Sequence, residues 1–165
     1  METRTGERAE LLATLDQERN FLRYTVRGLT DEQAALCTTK SELCLGGLIK
    51  HVTAVEERWT RFASGGAEAM ESVPIDWVGQ FRMTEGDTLA GVLERYERAA
   101  KQTADVIATL PDLDASHPLP EAPWFEQGAT WSVRRVLLHL IAETSQHAGH
   151  ADIIRESLDG QKTMG

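Results

Sequence analysis

The segment that most narrows what this chain can fold into is its last long one, Trp131 to Gly160, which carries three of the five histidines. At about 100° per residue, a helix sets His139, Glu143, His147 and His150 within about 80° of one another on one stripe. The apolar residues Val133, Val136, Leu137, Leu140, Ala148, Ala151, Ile154 and Leu158 recur at helical spacing and overlap that stripe, so some of the polar groups point inward. An inward imidazole beside an inward carboxylate needs a partner. A metal ion can be that partner.

The same three-four spacing recurs upstream. A first helix is expected from about Thr5 to Arg27, stopping at Gly28, with Leu11, Leu12, Leu15, Leu22 and Val26 on its buried face. Thr30 caps a short helical turn with acids near its positive end. A second long helix is expected from Leu45 to Ala63, ending near Gly65–Gly66, with Leu45, Leu48, Val52, Val55, Trp59 and Phe62 inward and His51 on the same side. Gly65 to Gly86 has no clear period and reads as a long loop. Asp87–Thr88 opens a third helix, in which Leu89, Val92, Leu93, Tyr96, Ala100, Thr103, Ile107 and Leu110 keep the period as far as Pro111. Four of the five prolines lie between Pro111 and Pro123, so a second long loop leads to a cap at Ser132. Loops of such length inside a domain tend to carry function. The final helix closes at Gly160, and Gln161 to Gly165 reads as a frayed tail. The fold expected is all-α, an antiparallel four-helix bundle with long loops between helices 2 and 3 and between helices 3 and 4. Residues 1–165 are read as one domain, a size able to bury roughly 70% of the unfolded surface.

Composition excludes several functions. With 17 basic against 26 acidic residues and a formal charge of −9, the chain lacks the basic clusters that phosphate-backbone binding requires. Cys37 and Cys44 form no C-x-x-C pair, which argues against a redox motif or a cysteine zinc site and for a reduced, cytoplasmic setting. Met1 to Glu10 has no apolar core of the signal-peptide kind, and no apolar run approaches membrane-spanning length. No serine nucleophile elbow, phosphate-binding glycine loop or dinucleotide fingerprint is present.

Each candidate ligand has a bland reading. His51 alone reads as a core histidine satisfied by a carbonyl or a water. Glu143 and His147, four apart, read alone as an exposed helix pair. The string Glu-x-x-x-His does not match the His-Glu-x-x-His protease signature. His139 reads as a buried hydrogen-bonding residue and His117, among prolines, as exposed loop. Trp59, Trp77 and Trp124 are candidates to wall a pocket, with Trp59 at helical spacing also reading as plain core.

Three stretches carry a resemblance over essentially the whole chain: Leu45-Gly46-Gly47-Leu48-Ile49-Lys50-His51, the Gly86-Asp87-Thr88-Leu89 opening, and Val136-Leu137-Leu138-His139 through Glu143-Thr144-Ser145-Gln146-His147-Ala148-Gly149-His150-Ala151-Asp152. In these the chain resembles the DinB-like four-helix superfamily, in particular its branch of mycothiol- and bacillithiol-transferase-like proteins. Members bind a divalent metal through one histidine of the second helix and two residues four apart on the last helix. The resemblance puts those positions on His51, Glu143 and His147. Glu143 stands where many members have histidine, and the mycothiol-dependent maleylpyruvate isomerases are similar in having one glutamate and two histidines. His150 falls where many relatives have glutamine and is the candidate catalytic neighbour. Cys44 falls where relatives often have a hydroxyl cap.

The resemblance implies zinc, with nickel as the alternative, and a low-molecular-weight, mycothiol-like thiol as cosubstrate. Two neutral imidazoles and one carboxylate leave Zn²⁺ a residual positive charge and an open position, and a thiol bound there loses its proton at neutral pH. The function expected is a metal-dependent S-transferase in which that thiol attacks an electrophile, in detoxification or stress response. The alternatives are a metal-assisted hydrolase, with Glu143 or His150 moving protons, and a non-enzymatic metal-binding stress protein. The partners implied are the thiol, the electrophile and, by resemblance, a second copy in a homodimer.

Overall fold

The computed structural model describes residues 6–163. Thr5, where the first helix was expected to begin, lies outside the described residues, as do the rest of Met1–Thr5 and Met164–Gly165 of the tail. The described chain is mostly helical: α1 (Glu7–Tyr24), α2 (Asp31–Ala34), α3 (Leu45–Glu71), α4 (Leu89–Thr109) and α5 (Val133–Asp159), with β1 (Ser116–Pro118) and β2 (Thr130–Ser132) before α5. No helix among the described residues is long and apolar enough to cross a membrane.

Helix starts follow local chemistry. Thr30, Thr88 and Ser132 each accept a backbone N–H from three residues on, satisfying a donor that the first turn leaves free. Thr30 completes a reciprocal box with Gln33. Gly160, at φ 79°, ends α5 in the left-handed region. Gln161 and Thr163 are not a frayed tail, because their backbone N–H groups donate to Asp159 at 3.0 Å and Asp152 at 2.6 Å.

Two elements depart from the sequence reading. The second long helix does not end at Gly65–Gly66. It kinks at Gly66, where φ is 73° and ψ −161°, and continues to Glu71 with Met70 buried. A Cβ on Gly66 would lie 3.1 Å from His117 Nδ1, so the kink is where β1 docks. The proline-rich connection is also not wholly irregular, since β1 pairs antiparallel with β2 through His117 opposite Trp131. His117 is therefore half-buried, 5.8 Å edge-to-face from Phe62, and not exposed loop.

The directions of the helices also correct the expectation of uniformly antiparallel neighbours. Contacts between α3 and α4 advance together, from Lys50–Asp87 through Glu57–Arg95 to Thr60–Thr103, so these helices run in the same sense. Contacts between α1 and α5 do likewise, from Glu7–Arg134 to Thr25–Arg155. Between α3 and α5 they run oppositely, with His51 near His147 and Trp59 near His139. Parallel neighbours need a crossover that returns the chain along their length, and residues 72–88 supply it.

The core has two apolar halves, one around Leu22, Leu48 and Tyr96 and the other around Leu15, Phe62 and Leu137. Between them lies a polar layer with a member on each long helix: Arg19, Glu56, Thr103 and Thr144, all buried. The Arg19 guanidinium donates through Nε to Glu56 Oε2 at 3.1 Å and through Nη2 to Oε1. Thr103 Oγ1 donates to Glu56 Oε1 at 2.6 Å and meets Thr60 at 2.9 Å. Burial pushes the nearby Tyr96 phenol well above its ordinary value, so it stays neutral.

Removing one partner of a buried ion pair strands the other, at a cost of about 3–5 kcal/mol. Glu56→Ala is expected to lower urea-unfolding stability by that amount. Replacing Arg19 and Glu56 together with Met and Leu should recover most of it, because no buried charge is then left unpaired and Asp16, which also meets Arg19, is exposed to water.

Candidate functional site

The site begins with how closely the crossover can approach α3. A Cβ on Gly47 would stand 1.8 Å from the Phe81 carbonyl oxygen, and one on Gly46 would stand 2.5 Å from Met83 Sδ. Only a helix start without side chains there lets the backbone of residues 80–83 lie directly on it. Lys50 pins that backbone, donating to the Arg82 carbonyl at 2.8 Å and to Asp87 Oδ2 at 2.6 Å. Cys44, buried at the start of α3 with no side-chain cap, points Sγ at the Phe81 carbonyl 3.8 Å away. Its role is packing.

Held there, the crossover touches His51 twice. The Phe81 ring stacks on the imidazole at 3.9 Å, and Gln80 Oε1 meets His51 Nδ1 at 3.2 Å. A carbonyl oxygen can only accept, so Nδ1 carries a proton, which leaves Nε2 to meet a metal ion or to carry a second proton toward Glu143. Nε2 faces Glu143 Oε2 at 3.8 Å, and His147 Nε2 faces the same oxygen at 3.5 Å. His51, Glu143 and His147 thus each offer a donor atom, and these atoms all lie within 4.8 Å of one another. His147 first and His51 second hold the Glu143 carboxyl far below the ordinary carboxylate range, against the opposing effect of burial.

The arrangement suits a cation. A bare imidazole lone pair aimed at a carboxylate is acceptor against acceptor unless a proton or a metal ion lies between them. A tetrahedral ion with bonds of about 2.0–2.1 Å sets neighbouring ligand atoms about 3.3–3.4 Å apart, within a few tenths of an ångström of the glutamate contacts. The outer nitrogens are also occupied, as ligating histidines require: His51 Nδ1 by Gln80, and His147 Nδ1 by His150 Nδ1 at 3.3 Å. His150 accordingly lies against the far side of the His147 ring from Glu143.

His51 and Glu143 open on a cleft of about 800 Å³ that both long connections wall. Trp59, Trp77 and Trp124 all line it. Trp59 is also core, buried and stacked on Trp131 at 4.6 Å. Trp77 and Trp124 remain 66% and 67% exposed and meet edge-to-face at 6.5 Å. His139 lies beside the stacked Trp59–Trp131 pair, at 4.9 and 5.2 Å from the two rings, with no hydrogen bond among the described residues. Burial lowers its pKa, with Glu143 opposing. A more open hollow of about 850 Å³, between α1, the turn after it and α4, shares no residue with the donor cluster.

Sequence reading missed Gln80 and Phe81, which lie in a stretch without period. The signal that could have found them is the Gly46–Gly47 pair, since two glycines opening a helix ask what backbone approaches there.

The model of one protein family, described as MST: Mycothiol-S-transferase, matches residues 10–160. No curated protein matches the chain.

Gly47→Ala is expected to displace the crossover from α3, at a cost of about 1–3 kcal/mol or more, with the helical circular-dichroism spectrum retained; a urea melt superimposing on the parent's would refute the close-approach account. A second expectation concerns pH in metal-free protein. The Glu143 carboxyl lies below its ordinary 4.5 when folded, so its stabilisation is present above that value and is lost as pH falls through the depressed one. The stability gap between parent and Glu143→Gln should therefore narrow on acidification below about pH 4.5, read by urea melts at several pH values.

Proposed function

The chain belongs to the mycothiol-S-transferase family, and from that premise we propose that it is a metal-dependent S-transferase joining a mycothiol-like thiol to an electrophile, in detoxification or stress response. The observation that carries the reading is the convergence of His51, Glu143 and His147 donor atoms within 4.8 Å, at a cleft large enough for two small reactants. In this reading residues 1–165 form one domain, a four-helix bundle, working in the cytoplasm as a homodimer. The three residues hold a divalent ion, zinc or alternatively nickel.

A divalent ion bound by them supplies the positive charge that keeps a coordinated thiol as its thiolate at neutral pH. Everything else is done by the chain's own groups. Gln80 holds His51 in the tautomer that frees Nε2, and His150 orients His147 through the Nδ1 contact. Glu143 brings the negative charge that favours a cation over a proton-poor, empty cluster. The Trp77 and Trp124 faces take the apolar body of the electrophile and exclude water from it. The new bond is between the thiol sulfur and the electrophilic carbon; the S–H bond is broken and its proton passes to solvent. The displaced electron pair leaves with the departing group or, on an activated double bond, goes to the adjacent carbon, which takes up a proton.

Replacing His51, Glu143 or His147 singly with alanine should remove most bound metal, measured by elemental analysis, and abolish thiol transfer while the helical spectrum survives. Arg98→Gln, a change on the exposed face of α4, is the control. Gln80→Ala and His150→Ala should weaken metal binding by about 10–100-fold. Full metal occupancy in both His51→Ala and His147→Ala would sink the assignment. Esterase turnover with no thiol dependence would favour the hydrolase reading, and sedimentation as an 18.3 kDa species at high concentration would reject the dimer.

A further inference from the structure

Two cations of the cleft have no use in the thiol chemistry. Arg58 and Arg61 both line it. Arg58 follows His51 by seven residues, two helical turns, so it shares the His51 face about 10 Å along the axis, and helix side chains lean back toward the N-terminus. Between them on that face is Ala54, whose small side chain leaves the floor of the cleft open.

The other cations of the cleft are already paired. Lys50 meets Asp87 at 2.6 Å. Arg95 grips Glu57 with two bonds, Nε to Oε1 at 3.0 Å and Nη2 to Oε2 at 2.6 Å. Arg58 uses one N–H on the Val73 carbonyl at 3.0 Å. Neither Arg58 nor Arg61 forms an ion pair among the described residues, and Glu71 acts on Arg58 only from beyond contact. Burial pulls the Arg58 guanidinium below its ordinary pKa, Glu71 offsets part of this, and the Arg61 charge adds to it. Two like charges a turn apart repel, and an incoming anion would relieve that. A planar guanidinium with free donors matches a carboxylate in shape and charge.

We propose that Arg58 and Arg61 form an anion subsite, so that the electrophile is an elongated molecule with an apolar body and a carboxylate lying about 10–15 Å from its reacting carbon along α3. This rests on the transferase reading for the word electrophile, but the subsite itself is testable without any reaction. The apolar body would lie over Ala54 and Val55 against the tryptophans, with its reactive end toward His51 and Glu143.

Calorimetric titration of the metal-loaded protein with 4-phenylbutanoate and with its neutral amide provides the test, since neither compound can react. The parent should bind the acid at least tenfold more tightly than the amide. That preference should fall to threefold or less in Arg61→Gln and in Arg58→Gln, and survive in Arg98→Gln. Arg61→Gln is decisive, because Arg58 also holds Val73 and its loss can disturb the crossover, which a thermal melt would reveal. Equal binding of acid and amide by the parent, or an undiminished preference in Arg61→Gln, would overturn the subsite whether or not the protein transfers thiols. A rise in KM confined to an acidic thiol, N-acetylcysteine, and absent with its methyl ester would move the anion to the thiol and overturn the assignment to the electrophile.

Discussion

The buried pairing of Arg19 with Glu56 is the interaction on which the remaining geometry turns. Both side chains are nearly inaccessible, at 3% and 1% exposure, so neither charge has water to fall back on. Apolar stripes alone allow a helix to rotate or slide with modest loss, because dispersion and burial are non-directional. A bidentate guanidinium–carboxylate pair is directional, and Thr103 ties the same carboxylate to α4. Together they set the rotation of α3 against α1 and α4, and hence the direction in which His51 leaves the helix. Thr144 belongs to the same layer on α5, which turns its neighbour Glu143 toward the cleft.

The parallel course of α3 and α4 is the second determinant, because it obliges the chain to travel back along the bundle between them. Residues 72–88 make that passage, and Gly46 and Gly47 let them make it in direct contact with α3. The crossover then does three things at once: it covers the start of α3, fixes the His51 ring through Gln80 and Phe81, and forms one wall of the cleft. The connection before α5 forms a second wall with Trp124 and Phe125, anchored by the short β1–β2 ladder, and Trp124 meets Trp77 of the crossover. Site and loops are therefore one construction, in which the bundle holds the donors and the connections decide what reaches them.

Charge in the cleft is sorted by position. Near the donors the histidines and Glu143 are complementary to a cation, while about two to three turns further along α3 Arg58 and Arg61 are complementary to an anion. The ion pairs Lys50–Asp87 and Arg95–Glu57 neutralise the flank toward α4. A small molecule lying along α3 would thus meet opposite demands at its two ends, which is a stronger constraint on its chemistry than the size of the cleft.

Local and periodic features of the sequence determined much of this. The three-four spacing of Leu89 to Leu110 and of Val133 to Leu158, and the caps Thr30, Thr88 and Ser132, specify helices through contacts within a few residues, so α4 and α5 run as read. Glu143 and His147 are legible as one stripe for the same reason, and His51 joins them by resemblance. What the sequence could not determine depends on groups far apart in the chain. The continuation of α3 past Gly66 follows from β1 docking at the kink, and the same-sense pairing of α3 with α4 follows from how four apolar stripes close one core. Nothing local in the sequence pairs Glu56 with Arg19, 37 residues away, yet the two are buried against each other. Gln80 and Phe81 carry no period at all, because their positions are set by the helix they lie on. Propensity and periodicity are short-range properties of one segment, whereas partner choice for a buried charge or an imidazole is a property of the packed whole, and only the tertiary structure decided it.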